Sequence, residues 1–181
     1  MHNVSTPVTA FDGDRRLAHG PLGEVARTVA AAAEPSRVLI FRDDNGRSLD
    51  LDLRGTPEEV AARLAPAPEA APRGPGRPKL GVTAREVTLL PRHWEWLSRQ
   101  PGGASVALRK LVEAAQRDPA EEARAAREAA YRFLTTLAGD RPGYEEANRA
   151  LFAGDAGSFR ARIADWPADV RDHALTLARL P

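Results

Sequence analysis

Apolar residues recur along the first sixty positions with periods that change from two to about three and a half. Val8 to Phe11, then Asp12-Gly13, then Arg15 to Ala18 predict a strand, a tight turn and a second strand. Leu22, Val25, Ala26 and Val29 follow at helical spacing within Leu22–Ala33, and Pro35 stops the helix. Val38 to Phe41 is a continuous apolar run, Asn45-Gly46 is a hairpin signal, and Leu49, Leu51 and Leu53 alternate with Asp50 and Asp52. Thr56-Pro57-Glu58-Glu59 supplies an N-cap, a first-turn proline and a capping-box glutamate for a last helix that turns Val60 and Leu64 inward. The pattern predicts a small α+β unit, roughly β-β-α-β-β-α, over residues 1–65.

The pattern then breaks. Between Pro66 and Pro78 there are five prolines, with Gly74 and Gly76 among them. Proline lacks the amide donor and clashes inside a helix, so residues 66–81 read as an extended Pro/Gly/Arg-rich linker. Val82 to Leu90 is rich in β-formers and ends at Pro91. From Arg92 the spacing is helical, with Trp94 and Leu97 on one face, until Pro101-Gly102-Gly103 interrupts it. A second helix follows, with Ser105 at a capping position and Val106, Leu108, Leu111, Val112 and Ala115 at helical spacing. Strand, helix, turn and helix over 82–117 cannot bury their own apolar face, and a lone strand leaves its amides unpaired. Pairing two copies across a two-fold axis solves both problems. From Asp118-Pro119 to the end, four helices with short connections predict a C-terminal helical bundle over 118–181.

Composition changes this picture in two ways. Of the 43% hydrophobic residues, 34 are alanine, so the core is thinly supplied with bulky side chains. The net charge of +1 conceals an uneven distribution: residues 1–71 carry −3, residues 72–117 carry +6 and residues 118–181 carry −2. A basic middle between acidic flanks suits a polyanion partner, or an intramolecular contact with those flanks. Cysteine is absent, which excludes disulfides, thiolate metal sites and cysteine catalysis. There is no apolar run of membrane-spanning length and no signal-peptide pattern after Met1, so a soluble cytoplasmic protein without a membrane partner is expected.

Candidate chemistry is sparse. Asp43, Asp44, Asp50 and Asp52 surround one hairpin and could hold a hard cation, but a solvated strand face and a turn explain them more simply. Asp165, Asp169, Asp172 and His173 invite a metal reading too, although helix-start acids and a surface i,i+4 pair account for them. His2 and His19 have no partner at a diagnostic spacing. With no phosphate loop, nucleophile elbow or paired-ligand motif, the expectation is no enzyme, no cofactor and no metal.

Val87-Thr88-Leu89-Leu90-Pro91, with Gly103-Ala104-Ser105 opening the helix of Leu108-Arg109-Lys110-Leu111-Val112, resembles a ribbon-helix-helix DNA-binding domain. The resemblance implies a homodimer through Arg85–Leu90, whose paired strands lie in the major groove of DNA. It also implies a phosphate clamp at Gly103, Ala104 and Ser105. With Val87 and Leu89 turned to the core, Glu86 and Thr88 would face the groove, and Arg85, Arg92 and Arg109 would add phosphate contacts. Glu86 departs from the Arg, Lys, Asn or Gln usual in that family and fits only a donor such as the cytosine amino group. Arg73-Gly74-Pro75-Gly76-Arg77-Pro78-Lys79 is similar to an AT-hook, a minor-groove arm, with Pro75 in place of its first core arginine. Arg73, Arg77 and Lys79 are its candidate contacts. Across nearly the whole chain, Gly76-Arg77-Pro78-Lys79-Leu80-Gly81, Leu90-Pro91-Arg92-His93-Trp94-Glu95-Trp96-Leu97, Pro101-Gly102-Gly103-Ala104-Ser105 and Trp166-Pro167-Ala168-Asp169-Val170-Arg171-Asp172-His173 also resemble an uncharacterised bacterial family, domain of unknown function number 2239. That resemblance implies no activity. Two functions follow: a homodimeric DNA-binding protein serving as a transcriptional regulator, or a non-enzymatic interaction and dimerisation module without nucleic acid.

Overall fold

Asp12-Gly13 turns the first apolar run back on itself, with Gly13 in the left-handed region at φ +58°. The computed structural model describes residues 7–65 and 83–180. In it, β1 (Val8–Asp12) pairs antiparallel with β2 (Arg15–Gly20) on one side and with β3 (Val38–Arg42) on the other. β4 (Ser48–Leu49) completes a four-stranded antiparallel sheet of order β2-β1-β3-β4. The alternation of Leu49, Leu51 and Leu53 predicts a longer strand. Only Ile40–Leu49 and Phe41–Ser48 pair, because the chain leaves the sheet edge at Asp50, and Leu51 and Leu53 pack against the core beside the sheet instead.

Helices cover both faces of this sheet. Val8, Ala10 and Ile40 face α1 (Leu22–Ala30), whose Leu22, Val25 and Val29 meet them in one core cluster. α2 (Pro57–Leu64) packs on α1 and buries Val60. It starts at the expected capping box, with Thr56 and Glu59 bonded reciprocally. Thr9, Phe11 and Phe41 point to the other face, where Phe11 and Phe41 meet Phe133 of α5 (Pro119–Leu137) at ring-centroid distances of 5.3 and 5.0 Å. α6 (Tyr144–Ala153), α7 (Ala156–Arg162) and α8 (Ala168–Leu177) add Ala147, Leu151, Phe159, Val170, Ala174 and Leu177 to the same cluster. The described residues of 1–66 and of 122–181 therefore form one compact unit. The sequence pattern divides them into an α+β module and a helical bundle, yet one core serves both. A buried face is readable from periodicity, whereas the element that buries it is not.

The turn at Asn45-Gly46 lies on α5. Gly46 is buried with φ +67°, a Cβ there would collide with the Ala129 carbonyl, and the Arg132 guanidinium donates to the Asn45 carbonyl at 3.1 Å. Trp166 is likewise fixed, its indole N–H donating to the Pro142 carbonyl at 3.0 Å.

The described residues of 67–121 form a second unit. α3 (Pro91–Ser98) and α4 (Gly103–Gln116) pack against each other as an αα-hairpin, with Leu97 and Ala107 buried. Residues 83–90, expected to form a strand, carry no strand pairing in the single chain. β-forming composition alone supplies no ladder for the amides, so no strand forms here without a pairing neighbour. The start of α4 also differs from the sequence expectation: Gly102, at φ +84°, takes the N-cap position assigned to Ser105. Among the described residues no helix is long and apolar enough to cross a membrane.

Candidate nucleic-acid interface

The site residues expected on the basic segment separate into three groups. Arg73, Arg77 and Lys79 lie outside the described residues. Arg85, Glu86 and Thr88 are exposed on the irregular stretch before α3, and Arg92 is exposed in its first turn. Gly103, Ala104 and Ser105 occupy the first turn of α4, with Arg109 one turn further on, where its Nε donates to the Ser105 carbonyl at 3.3 Å.

This first turn is chemically open. The first amides of a helix have no intrahelical acceptor, and no side chain caps α4. The Gly103 amide already donates to the Gln100 carbonyl at 2.9 Å within the preceding turn. That leaves the Ala104 and Ser105 amides as the open donors of the three-residue clamp.

Ion pairing is partial in the larger unit, where Arg15, Arg16, Arg27, Arg47, Arg63, Arg127, Arg160 and Arg162 form none among the described residues, and absent from the basic side chains of residues 83–117. Arg37, Arg42, Arg54, Arg124, Arg132, Arg141, Arg149, Arg171 and Arg179 each lie beside a carboxylate. Among the described residues, none of Arg85, Arg92, Arg99, Arg109, Lys110 and Arg117 forms an ion pair. The same segment exposes Val87, Leu90, Trp94, Trp96, Leu111 and Val112, each by 42% or more. Unneutralised cations and an uncovered apolar face thus coincide on one short αα-hairpin.

A second cluster, in the other unit, is one that sequence reasoning missed. The strand register sets Thr9 opposite His19, and Asp43 follows directly after β3. The Thr9 hydroxyl donates to Asp43 Oδ1 at 2.9 Å, so it accepts from His19 Nδ1 at 3.0 Å; that nitrogen also lies 3.1 Å from Asp43 Oδ2. His19 is thereby held with its proton on Nδ1. On the other side, His173 of α8 packs against Phe11 in a tilted and Phe133 in an edge-on contact, 96% buried. Burial, with the charges of Arg16 and His19 assisting, pushes the His173 imidazole down to about 4. Burial pushes the Asp43 carboxyl up, against the Thr9 and His19 contacts that favour its charged form.

The hairpin carboxylates do not converge on a cation. Asp43 turns inward, Asp44 takes Arg42 at 2.7 Å and Asp52 takes Arg54 at 2.8 Å. Asp169 and His173 do not form the expected surface pair, because Asp169 accepts the Arg16 amide at 2.8 Å while His173 is buried. Among the described residues no group of three or more His, Asp or Glu is arranged to hold a metal ion. Only the i,i+4 spacing was visible in the sequence; the long-range partners of Asp43 follow from strand register, which no local signal encodes.

The chain is an α+β protein: in one unit helices flank a four-stranded sheet, and the other unit holds a basic αα-hairpin. The chain belongs to the family described as an uncharacterized protein conserved in bacteria, domain of unknown function 2239, whose model matches residues 7–178. No curated protein and no solved structure matches the chain.

Proposed function

We propose that this protein is a homodimeric DNA-binding protein, acting as a cytoplasmic transcriptional regulator rather than as an enzyme. The observation that carries the reading is the coincidence, on residues 83–117, of exposed apolar side chains with six basic side chains that form no ion pair among the described residues. An uncovered apolar face calls for a protein partner, and unneutralised cations call for a polyanion. A second copy of the segment answers the first need: strands Arg85–Leu90 pair across a two-fold axis and Val87, Leu90, Trp94, Leu111 and Val112 are covered. DNA answers the second. The open amides of Ala104 and Ser105 take a phosphate, Arg85, Arg92 and Arg109 line the backbone, Glu86 and Thr88 face the groove, and Arg73, Arg77 and Lys79, outside the described residues, are the candidate minor-groove contacts.

Glu86 favours a second reading, in which the paired segment serves protein association alone. A carboxylate in the groove repels phosphates unless a cytosine amino group meets it. Replacing Glu86 with Arg separates the two. In the DNA-binding reading, Glu86→Arg binds a mixed-sequence duplex more tightly and sediments as a dimer like the wild type. Unchanged duplex binding, or loss of the dimer, contradicts a groove-facing Glu86.

A further inference from the structure

Helix α3 has two unlike faces. Residues along a helix advance by about 100° each, so positions i, i+4 and i+7 share a face. Arg92, Trp96 and Arg99 occupy those positions, and all three are exposed, Trp96 by 50%. Leu97, 97% buried, and Trp94 lie on the opposite side, the side turned toward the apolar face. A dimer that covers Trp94 and Leu97 therefore leaves the Arg92–Trp96–Arg99 stripe facing outward. Neither arginine has an ion-pair partner among the described residues. Glu95 borders the stripe without pairing to Arg99, and the Gln100 side chain is tied back to the Trp96 carbonyl at 3.2 Å.

We infer that this stripe binds single-stranded nucleic acid, with the Trp96 indole stacking on an unpaired base and Arg92 and Arg99 contacting the flanking phosphates. This rests on the nucleic-acid reading of the segment and adds a second contact surface to it. The chemistry selects the partner. An indole flanked by two guanidinium groups offers a flat apolar surface with positive charge at both ends, over a span of about 10 Å. A single strand presents the complement, exposed base faces on a regularly charged backbone. In a duplex those base faces are already stacked on one another, so duplex DNA engages the arginines but not the indole. Trp96 is therefore superfluous to duplex binding and required for the single strand.

The test uses the full-length protein, a twelve-nucleotide oligo(dT) strand and a mixed-sequence duplex at low salt, followed by tryptophan emission and by band shift. Trp96→Phe, Trp94→Phe, Trp96→Ala and the double variant Arg92→Gln/Arg99→Gln are compared after circular dichroism has shown native helix content. The expected result is quenching by oligo(dT) in the wild type and in Trp94→Phe, with most of it lost in Trp96→Phe. Trp96→Ala and the arginine double variant each bind the strand about tenfold more weakly. Duplex affinity is unchanged in Trp96→Ala. Undiminished quenching in Trp96→Phe, or wild-type strand affinity in Trp96→Ala, overturns the inference. Duplex binding without any strand binding also overturns it while leaving the proposed function intact. Absence of binding to both nucleic acids removes the two together, and preferential capture of poly-glutamate assigns the stripe to an acidic peptide instead.

Discussion

Asp43 Oδ1 lies 3.7 Å from Nε2 of His173, a nitrogen that is buried and has no hydrogen-bond partner among the described residues. That distance is too long for a hydrogen bond, so α8 approaches the sheet here through a neutral imidazole packed on Phe11 and Phe133. A carboxylate held by Thr9 and His19 on one side and facing an unbonded imidazole on the other makes this junction sensitive to protons.

Stability should fall as the pH drops from about 6.5 toward 4. His173 titrates near 6.5 in the unfolded chain and only near 4 in the native protein, so between those values the unfolded state binds the extra proton. Asp43 acts in the opposite sense. Its carboxyl is raised in the native state, so acidification through that raised value favours folding and offsets part of the loss at the acid end. The net loss is therefore concentrated in the upper part of the window and is on the order of 1 kcal/mol by pH 5. Urea denaturation at pH 7 and pH 5 measures it. His173→Phe should flatten the difference, whereas an equal pH dependence in variant and wild type would show that His173 is not the responsive group.

Gly46 and Gly13 both have positive φ, but only Gly46 sits against backbone. Gly46→Ala adds a collision with the Ala129 carbonyl to the cost of a left-handed alanine, and should destabilise by about 2–4 kcal/mol. Gly13→Ala meets nothing within 4 Å and should cost about 1 kcal/mol. Chemical denaturation of the two variants checks the ratio, and similar losses would mean that the hairpin does not rest on α5 as described.

Thr56→Ala removes the reciprocal cap of α2 and should cost about 1 kcal/mol. Because α2 covers α1 rather than the Phe11–Phe41–Phe133 cluster, the near-ultraviolet signal of the folded state should be unchanged.

Much of this architecture is legible locally. Asp12-Gly13, Asn45-Gly46 and Thr56-Pro57-Glu58-Glu59 each fix a turn or helix start through the conformational needs of a few adjacent residues, and the structure places turns and caps there. The joining of Phe11 and Phe41 with Phe133 is not legible, because hydrophobic period shows that a face is buried and says nothing about a partner more than ninety residues away. The Thr9–His19–Asp43 network fails for the same reason: its members meet through the register of three strands. On the basic segment, the αα-hairpin follows from spacing and from Gly102-Gly103. The β-forming composition of residues 83–90 reads as a strand, but the single chain holds none there, because composition does not supply a pairing partner.

The exposed face of α4 sets the association state in this account. Leu111→Lys and Val112→Lys, at positions 51% and 55% exposed in the single chain, should leave the fold of each protomer intact and shift the protein toward monomer in sedimentation equilibrium. If each DNA site is read by two copies, as proposed, duplex binding should weaken in parallel. A variant that stays dimeric would place the dimer contact elsewhere.

Salt dependence of duplex DNA binding by the intact protein separates a phosphate-contacting dimer from a protein that does not bind nucleic acid. Each phosphate neutralised contributes about −0.9 to the slope of log affinity against log salt. Two copies presenting Arg85, Arg92, Arg109 and the Ala104–Ser105 amides should give a slope of about −4 or steeper, made shallower by Arg92→Gln or Arg109→Gln. A slope near zero, or no complex at about 50 mM salt, would contradict the nucleic-acid reading.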